Sequence, residues 1–215
     1  MFGTHDYVIF LLAGIALNLA PGQDTIYILS RSIAQGRVVG IASVFGVGAG
    51  CTIHVIAAAV GLYSVIALSP AVFFLITLAG ALYLIYLGII TWTRRTVPNP
   101  ESLLHDTSGG VWLAYRQGMT TNLLNPKVAM FFISFLPQFI DPVSNLGFIS
   151  FLFLGGTFLC TGMIWCLFLA LCASAVADTL RTNPRIQTGF DGITSLIFIC
   201  LGVVILIFHG GVLPA

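Results

Sequence analysis

The chain has 215 residues, 58% of them apolar and only 7% charged, with a formal net charge of +1. A soluble domain carries about a quarter charged residues, so this chain cannot cover a water-facing surface and the bulk of it belongs in lipid. The near-neutral balance, without a basic block, argues against nucleic acid as a partner.

The chain begins Met1-Phe2-Gly3-Thr4-His5-Asp6, without a basic leader region, and its first apolar run continues past twenty residues. That predicts a membrane span, not a cleaved signal peptide. About 20 apolar residues cross the hydrocarbon core, and six such runs occur. The first extends from Tyr7 to about Ser30 and is interrupted at Pro21-Gly22. A short polar segment with Arg31, Gln35, Gly36 and Arg37 follows. The second run, about Val39 to Ala67, holds Gly46 and Gly50 at a GxxxG spacing, which permits close helix packing within a monomer or in a homodimer. Ser69-Pro70 predicts a turn, and the third run covers Ala71 to Trp92. Residues 93–115 are the one extended polar stretch, read as a cytoplasmic linker between halves 1–92 and 116–215 of a single membrane domain. The fourth run, about Arg116 to Ile140, is interrupted at Asn125-Pro126. The fifth covers about Leu146 to Val176, and the sixth about Gly189 to Phe208.

Three spans before the linker and three after it make the second half enter the membrane opposite to the first. The expected fold is therefore an all-α membrane protein of six helices, built as a 3+3 inverted repeat with helices 1 and 4 broken at prolines. Arg31, Arg37, Arg94, Arg95, Arg116, Arg181 and Arg185 all fall in the loops on one side. The positive-inside rule makes that side cytoplasmic and places both termini outside. Trp92 and Trp112 flank the large loop as interface anchors would.

Pro21 lies ten residues before Arg31, and Pro126 ten residues after Arg116. At about 1.5 Å per residue both breaks sit roughly 15 Å from the cytoplasmic surface, near the midplane of a core about 30 Å thick. Asp24 and Lys127 lie beside the breaks. An unpaired charge at that depth is costly, so the two are expected to neutralise each other or to meet water and substrate. Paired interruptions of this kind point to a transport site. The candidate substrate-binding residues are Asp24, Lys127, Asn18, Asn122, Asn125, Gln23 and Thr25, with Pro21, Gly22 and Pro126 making the breaks. His54, on span 2, is a candidate proton relay with Asp24, or else a donor to a neighbouring helix. Trp165 suits either packing or pocket lining.

No hydrolase, nucleotide-binding or metalloprotease signature occurs, so no enzyme activity is expected. The five cysteines lie in apolar runs without a CxxC pair and read as small buried hydrophobes. Spans 1 and 4 contain none, which excludes a thiol-redox carrier, and the absence of a His-rich tract argues against a metal exporter.

Five motifs then fall in order. They are Pro21-Gly22-Gln23-Asp24; spaced glycines with His54; Gly80-Ala81-Leu82-Tyr83-Leu84-Ile85-Tyr86-Leu87-Gly88; Gly118 followed by Asn122-Leu123-Leu124-Asn125-Pro126-Lys127; and Pro137-Gln138-Phe139. Over nearly its whole length the chain resembles the LysE/RhtB amino-acid exporters. Gln23 stands where that family usually has a second proline, which predicts a less sharply broken first span. The resemblance implies export of amino acids or close derivatives, such as homoserine- or threonine-like ones, across a bacterial inner membrane. It implies proton coupling and no bound cofactor. On that reading Asp24 meets the substrate ammonium or carries the proton, and Lys127 meets the carboxylate or holds Asp24 charged. The scarcity of buried acids favours neutral cargo. The partners expected are the amino acid and membrane lipid. Export of another small solute, or a non-transporting scaffold role, are the rival readings.

Overall fold

The computed structural model describes residues 2–62, 70–93, 109–141, 144, 146–173 and 184–210. The expected turn at Ser69, the Arg94-Arg95 pair, most of the linker, and the loop holding Asp178 and Arg181 lie outside the described residues.

The described residues are helical. The first apolar run forms α1, Tyr7–Leu19, and α2, Gln23–Gln35, which meet at a bend of 47°. The break is therefore complete despite Gln23: Pro21 cannot donate a helical hydrogen bond, and Ala20 and Gly22 are both extended. The helix α2 runs past the expected end of the run, so Arg31 is not in a loop but inside the helix. Arg31 is 7% exposed, donates to the Gln117 side chain and lies over the Tyr27 ring. Gly36, at φ 85°, takes the left-handed backbone that reverses the chain into α3, Arg37–Ala57. A π-helical turn, Ala58–Leu62, continues α3.

The third apolar run is α4, Pro70–Thr93. The helix α5, Val111–Leu123, starts within the stretch read as linker, and α6, Pro126–Met130, follows the second break. A π-helical turn, Phe131–Phe135, and a 3-10 turn, Leu136–Phe139, lead on from α6. The last two helices are α7, Gly147–Leu171, and α8, Pro184–Gly210. Among the described residues, Arg37–Leu62 and Gly147–Leu171 are each long and apolar enough to cross a membrane, as is the bent pair α1–α2 taken together.

The outer surface is apolar, unlike that of a soluble protein. Val8, Ile9, Leu12, Phe45, Ile56, Leu82, Ile89, Ile164, Leu196 and Ile207 are exposed, as lipid-facing side chains must be. Inside, a phenylalanine cluster of Phe10, Phe131, Phe135, Phe139 and Phe158 packs α1 against α7 and the turns after α6, with Phe131 and Phe158 stacked at 4.2 Å. The segment before α1 is tied to the same turns: Thr4 bridges Ile140, and His5 N donates to Phe139 O at 3.1 Å.

The closest packing joins elements from opposite halves. The α3 and α5 backbones touch through glycines on both sides. A Cβ at Gly46 would collide with the Tyr115 carbonyl oxygen; at Gly50 it would lie 2.7 Å from the Met119 oxygen, and at Gly118 2.6 Å from that of Ser43. The α4–α8 contact is built the same way, with Gly88 against Ser195 O and Gly202 against Ala81 O. Without a hydrophobic force between helices in lipid, such close approach carries the association.

Gly46→Val is therefore expected to force α3 from α5 and lower the unfolding midpoint in detergent, at a cost of about 2–3 kcal/mol. Gly156→Ala, where nothing lies within 4 Å, should leave the midpoint unchanged. Matching midpoints for the two variants would remove the backbone contact from the account of stability.

Candidate functional site

Each proline strips a carbonyl of its helical partner, because residue i of a helix donates to the oxygen of residue i−4 and proline has no N–H. Pro21 leaves Leu17 O without its donor, and the extended residues beyond it do the same to Ala20 O. Lys127 Nζ donates to these two oxygens, at 3.1 Å to Leu17 O and 3.0 Å to Ala20 O. The ammonium thus caps the C-terminal end of α1, where the helix dipole favours a cation. Gly22 makes room for it: a Cβ there would lie 3.0 Å from Lys127 Nζ.

Pro126 does the same to Asn122 O. That oxygen accepts from Asn125 N at 3.0 Å and from His54 Nε2, on α3, at 3.3 Å. A carbonyl only accepts, so His54 carries its proton on Nε2. Its ring stacks on Phe132 with centroids 5.8 Å apart. His54 thus donates to a helix across the packing interface and does not touch Asp24 directly.

Asp24 lies in the first turn of α2, where the dipole favours an anion. Its Oδ2 accepts from Asn122 Nδ2 at 2.8 Å and from Asn125 Nδ2 at 3.0 Å. Both asparagines are buried, at 3% and 2% exposure. Asn125 also caps α6, its Oδ1 accepting from Lys127 N at 3.0 Å. The expected mutual neutralisation therefore takes a crossed form. Lys127 and Asp24 form no ion pair within 4.0 Å. Instead, each charge from one break is held by uncharged dipoles of the other.

The two sides meet at a cavity of about 50 Å³, room for a few waters. Of the sequence-predicted residues, Asn18, Asp24, Thr25, Asn122 and Lys127 line it. Asn125 supports Asp24 from behind, and Gln23 is exposed at the start of α2, outside the cavity lining. Asn18 Nδ2 donates to Thr161 Oγ1 at 3.0 Å and Phe158 O at 3.3 Å, tying α1 to α7. Asp24 Oδ1 and Asn122 Oδ1 are buried and have no hydrogen-bond partner. The amide of Asn122 cannot be turned over, because only its NH₂ can face a carboxylate oxygen that solely accepts.

The rest of the wall is Val128 from α6 and residues of the continuous helices: Val47, Gly48 and Cys51 from α3, and Phe158, Leu159, Gly162, Met163 and Cys166 from α7. Sequence reasoning missed all of these as site residues, because apolar side chains on a span look alike whether they face lipid, core or cavity. The spaced glycines were the one available signal, since Gly48 and Gly162 lie at the cavity. Trp165 belongs to packing: it lies against Leu29, Leu169 and Ala173.

The LysE type translocator family model matches residues 15–208. The chain is 28% identical over 201 residues to an uncharacterized membrane protein of Vibrio cholerae, covering 94% of this chain and 96% of that protein. It is 28% identical over 204 residues to an uncharacterized membrane protein of Pseudomonas aeruginosa, covering 94% of each. It is also 27% identical over 198 residues to a protein of Salmonella typhimurium named leucine efflux protein, covering 92% of this chain and 93% of that one. No solved structure matches the chain.

The two asparagines differ in what they hold. Asn122→Ala removes one donor to Asp24, whereas Asn125→Ala removes a donor and the α6 cap together. Asn125→Ala is expected to destabilise the protein by about 1 kcal/mol more than Asn122→Ala, the usual size of a cap. Thermal unfolding of the purified variants in detergent measures the difference, and equal losses would remove the cap from the account.

Proposed function

Because the chain belongs to the LysE type translocator family, a family of membrane transporters and not of enzymes, we propose that it exports neutral amino acids with aliphatic side chains from the bacterial cytoplasm. The observation that carries this reading is the pair of buried, unpartnered acceptors, Asp24 Oδ1 and Asn122 Oδ1, on a cavity whose remaining wall is largely apolar. An ammonium supplies the missing donors. Lys127 spends two of its three N–H bonds on Leu17 O and Ala20 O, which leaves one for a carboxylate. An amino acid presents both groups on one carbon, beside a side chain that the apolar wall accepts. The Salmonella typhimurium relative, named leucine efflux protein, agrees with this chemistry.

In this reading the protein is a six-span, 3+3 inverted repeat of the inner membrane, with both termini outside and the arginine-bearing loops cytoplasmic. The 47° bend at Pro21, the second break at Pro126 and the crossing of partners between them support it. A cavity with room for a few waters does not hold an amino acid of leucine's size, so loading requires the broken helices to part, as alternating access demands. Export draws on the proton gradient, with Asp24 alternating between proton and substrate ammonium. His54, fixed on Asn122 O, positions the asparagine that holds Asp24.

Asp24→Asn keeps the size of the side chain and removes the charge, and Lys127→Ala removes the ammonium. Both variants are expected to lose efflux of leucine or valine from preloaded cells, by at least roughly 100-fold for Asp24→Asn as a buried charged partner is lost. Efflux equal to the unmodified protein's, at equal expression, would sink the assignment. Purified protein that moves no amino acid in proteoliposomes would favour a scaffold role instead.

A further inference from the structure

The cavity wall divides by helix type. Every polar side chain on it comes from the broken helices: Asn18 from α1, Asp24 and Thr25 from α2, Asn122 from α5 and Lys127 from α6. The continuous helices α3 and α7 add only apolar, thiol or thioether side chains and two glycines, Gly48 and Gly162. On this part of the wall one contact is unlike the rest. Met163 of α7 lies directly on Gly48 of α3: a Cβ at Gly48 would sit 2.6 Å from Met163 Sδ, 3.3 Å from Cε and 3.7 Å from Cγ. Gly48 is buried, and Met163 packs against Ile28, Val44, Val47 and Cys166.

Methionine is unbranched, with rotatable bonds and a polarizable thioether, so it fills irregular gaps and can vacate them. Seated on a glycine, its thioether occupies volume that would otherwise be cavity. Leu159, Cys166 and Cys51 are other parts of the same wall.

We propose that Met163, seated on Gly48, sets the length of apolar side chain that the cavity accepts once the broken helices part, and so determines specificity among aliphatic substrates. The proposal rests on the export reading for the identity of the substrate headgroup, but the length limit itself needs only an ammonium held at Asp24. Shortening Met163 opens space toward Gly48 and favours longer chains. A methyl group on Gly48 drives the thioether out into the cavity and favours shorter ones. The two substitutions, on different helices, therefore shift specificity in opposite directions, which general loosening of the fold does not produce.

Met163→Ala and Gly48→Ala are compared with the unmodified protein, with Met163→Val as the milder variant should Met163→Ala fold poorly. Thermal stabilisation of purified protein in detergent is read with two ligand series: alanine, valine, leucine and phenylalanine, and the n-alkylamines from methyl- to hexylamine. Proteoliposome uptake of the four amino acids is measured beside it. The expected result is that Met163→Ala, or Met163→Val more weakly, raises the preference for leucine and phenylalanine over valine by roughly ten-fold, the low end of what one substrate methylene is worth in an apolar pocket. Gly48→Ala is expected to lower the preference for leucine over alanine by a similar factor. The alkylamine optimum moves in the same two directions. Preferences unchanged in both series, with ligands still binding, would overturn the role of Met163 and leave the export reading standing. Alkylamine optima that shift as expected while no amino acid binds or moves would uphold Met163 and overturn the export reading. No stabilisation of the unmodified protein by either series would overturn both.

Discussion

A carbonyl oxygen stripped of its helical donor inside a bilayer has no water to turn to, and the cost of leaving it bare is several kcal/mol. This chain creates that situation at Leu17 and again at Asn122. Lys127 Nζ, from another helix, replaces the donors of Leu17 and Ala20, whereas Asn122 O takes the local Asn125 N and adds His54 Nε2 from another helix. The first break draws its donors from a lysine of the second half, and the second break adds a histidine from the first half to its own local donor. The glycine contacts between α3 and α5 then have a further purpose beyond close packing. They set the distance at which His54 and the asparagines reach across.

The crossed arrangement also decides what the two charges are free to do. A buried ion pair in direct contact recovers little beyond its own desolvation cost, and the attraction tends to lock both partners. Here Asp24 rests on two amide N–H groups and Lys127 on two carbonyls. Each keeps one hydrogen-bonding position unused: Oδ1 of the carboxylate and one N–H of the ammonium. Opposite charges held in place by neutral dipoles, with spare valences, are what the proposed binding of a zwitterion calls for. The same two charges in contact would satisfy each other instead.

The sequence made the breaks legible because a proline inside an apolar run, Pro21 before Gly22 and Pro126 after Asn125, removes a helical donor, and it made Asp24, Lys127, Asn18, Asn122 and Thr25 legible because polar groups in lipid are expensive. What it did not reveal has physical causes too. Gln23 suggested a softer first break, but Pro21 alone removes the necessary donor, and Gln23 lies exposed, outside the cavity lining. Arg31 read as a loop residue because arginine ordinarily ends a span; its burial needs Gln117 and Tyr27 as partners, and such a pairing has no one-dimensional signature. The crossed partners were hidden for the same reason. Complementary charge predicts attraction between Asp24 and Lys127, whereas the nearest unsatisfied groups were backbone oxygens that only the broken geometry exposes.

The division of the cavity wall follows from the solvent. An unbroken helix in lipid keeps its backbone polar groups to itself, so it contributes to a binding site only through side chains, and in this chain those are apolar. A broken helix exposes backbone and draws in the charged and amide side chains that satisfy it. On the export proposal, recognition of a constant headgroup belongs to the breaks, and fit to a variable side chain belongs mainly to α3 and α7, with Val128 of α6 beside them. The two tasks sit on different helices and in different kinds of residue. On the same proposal, changes at Gly48, Cys51, Leu159, Met163 or Cys166 alter which side chain fits and leave untouched the crossed hydrogen bonds between the two breaks. A translocator built this way can acquire new cargo without rebuilding its core.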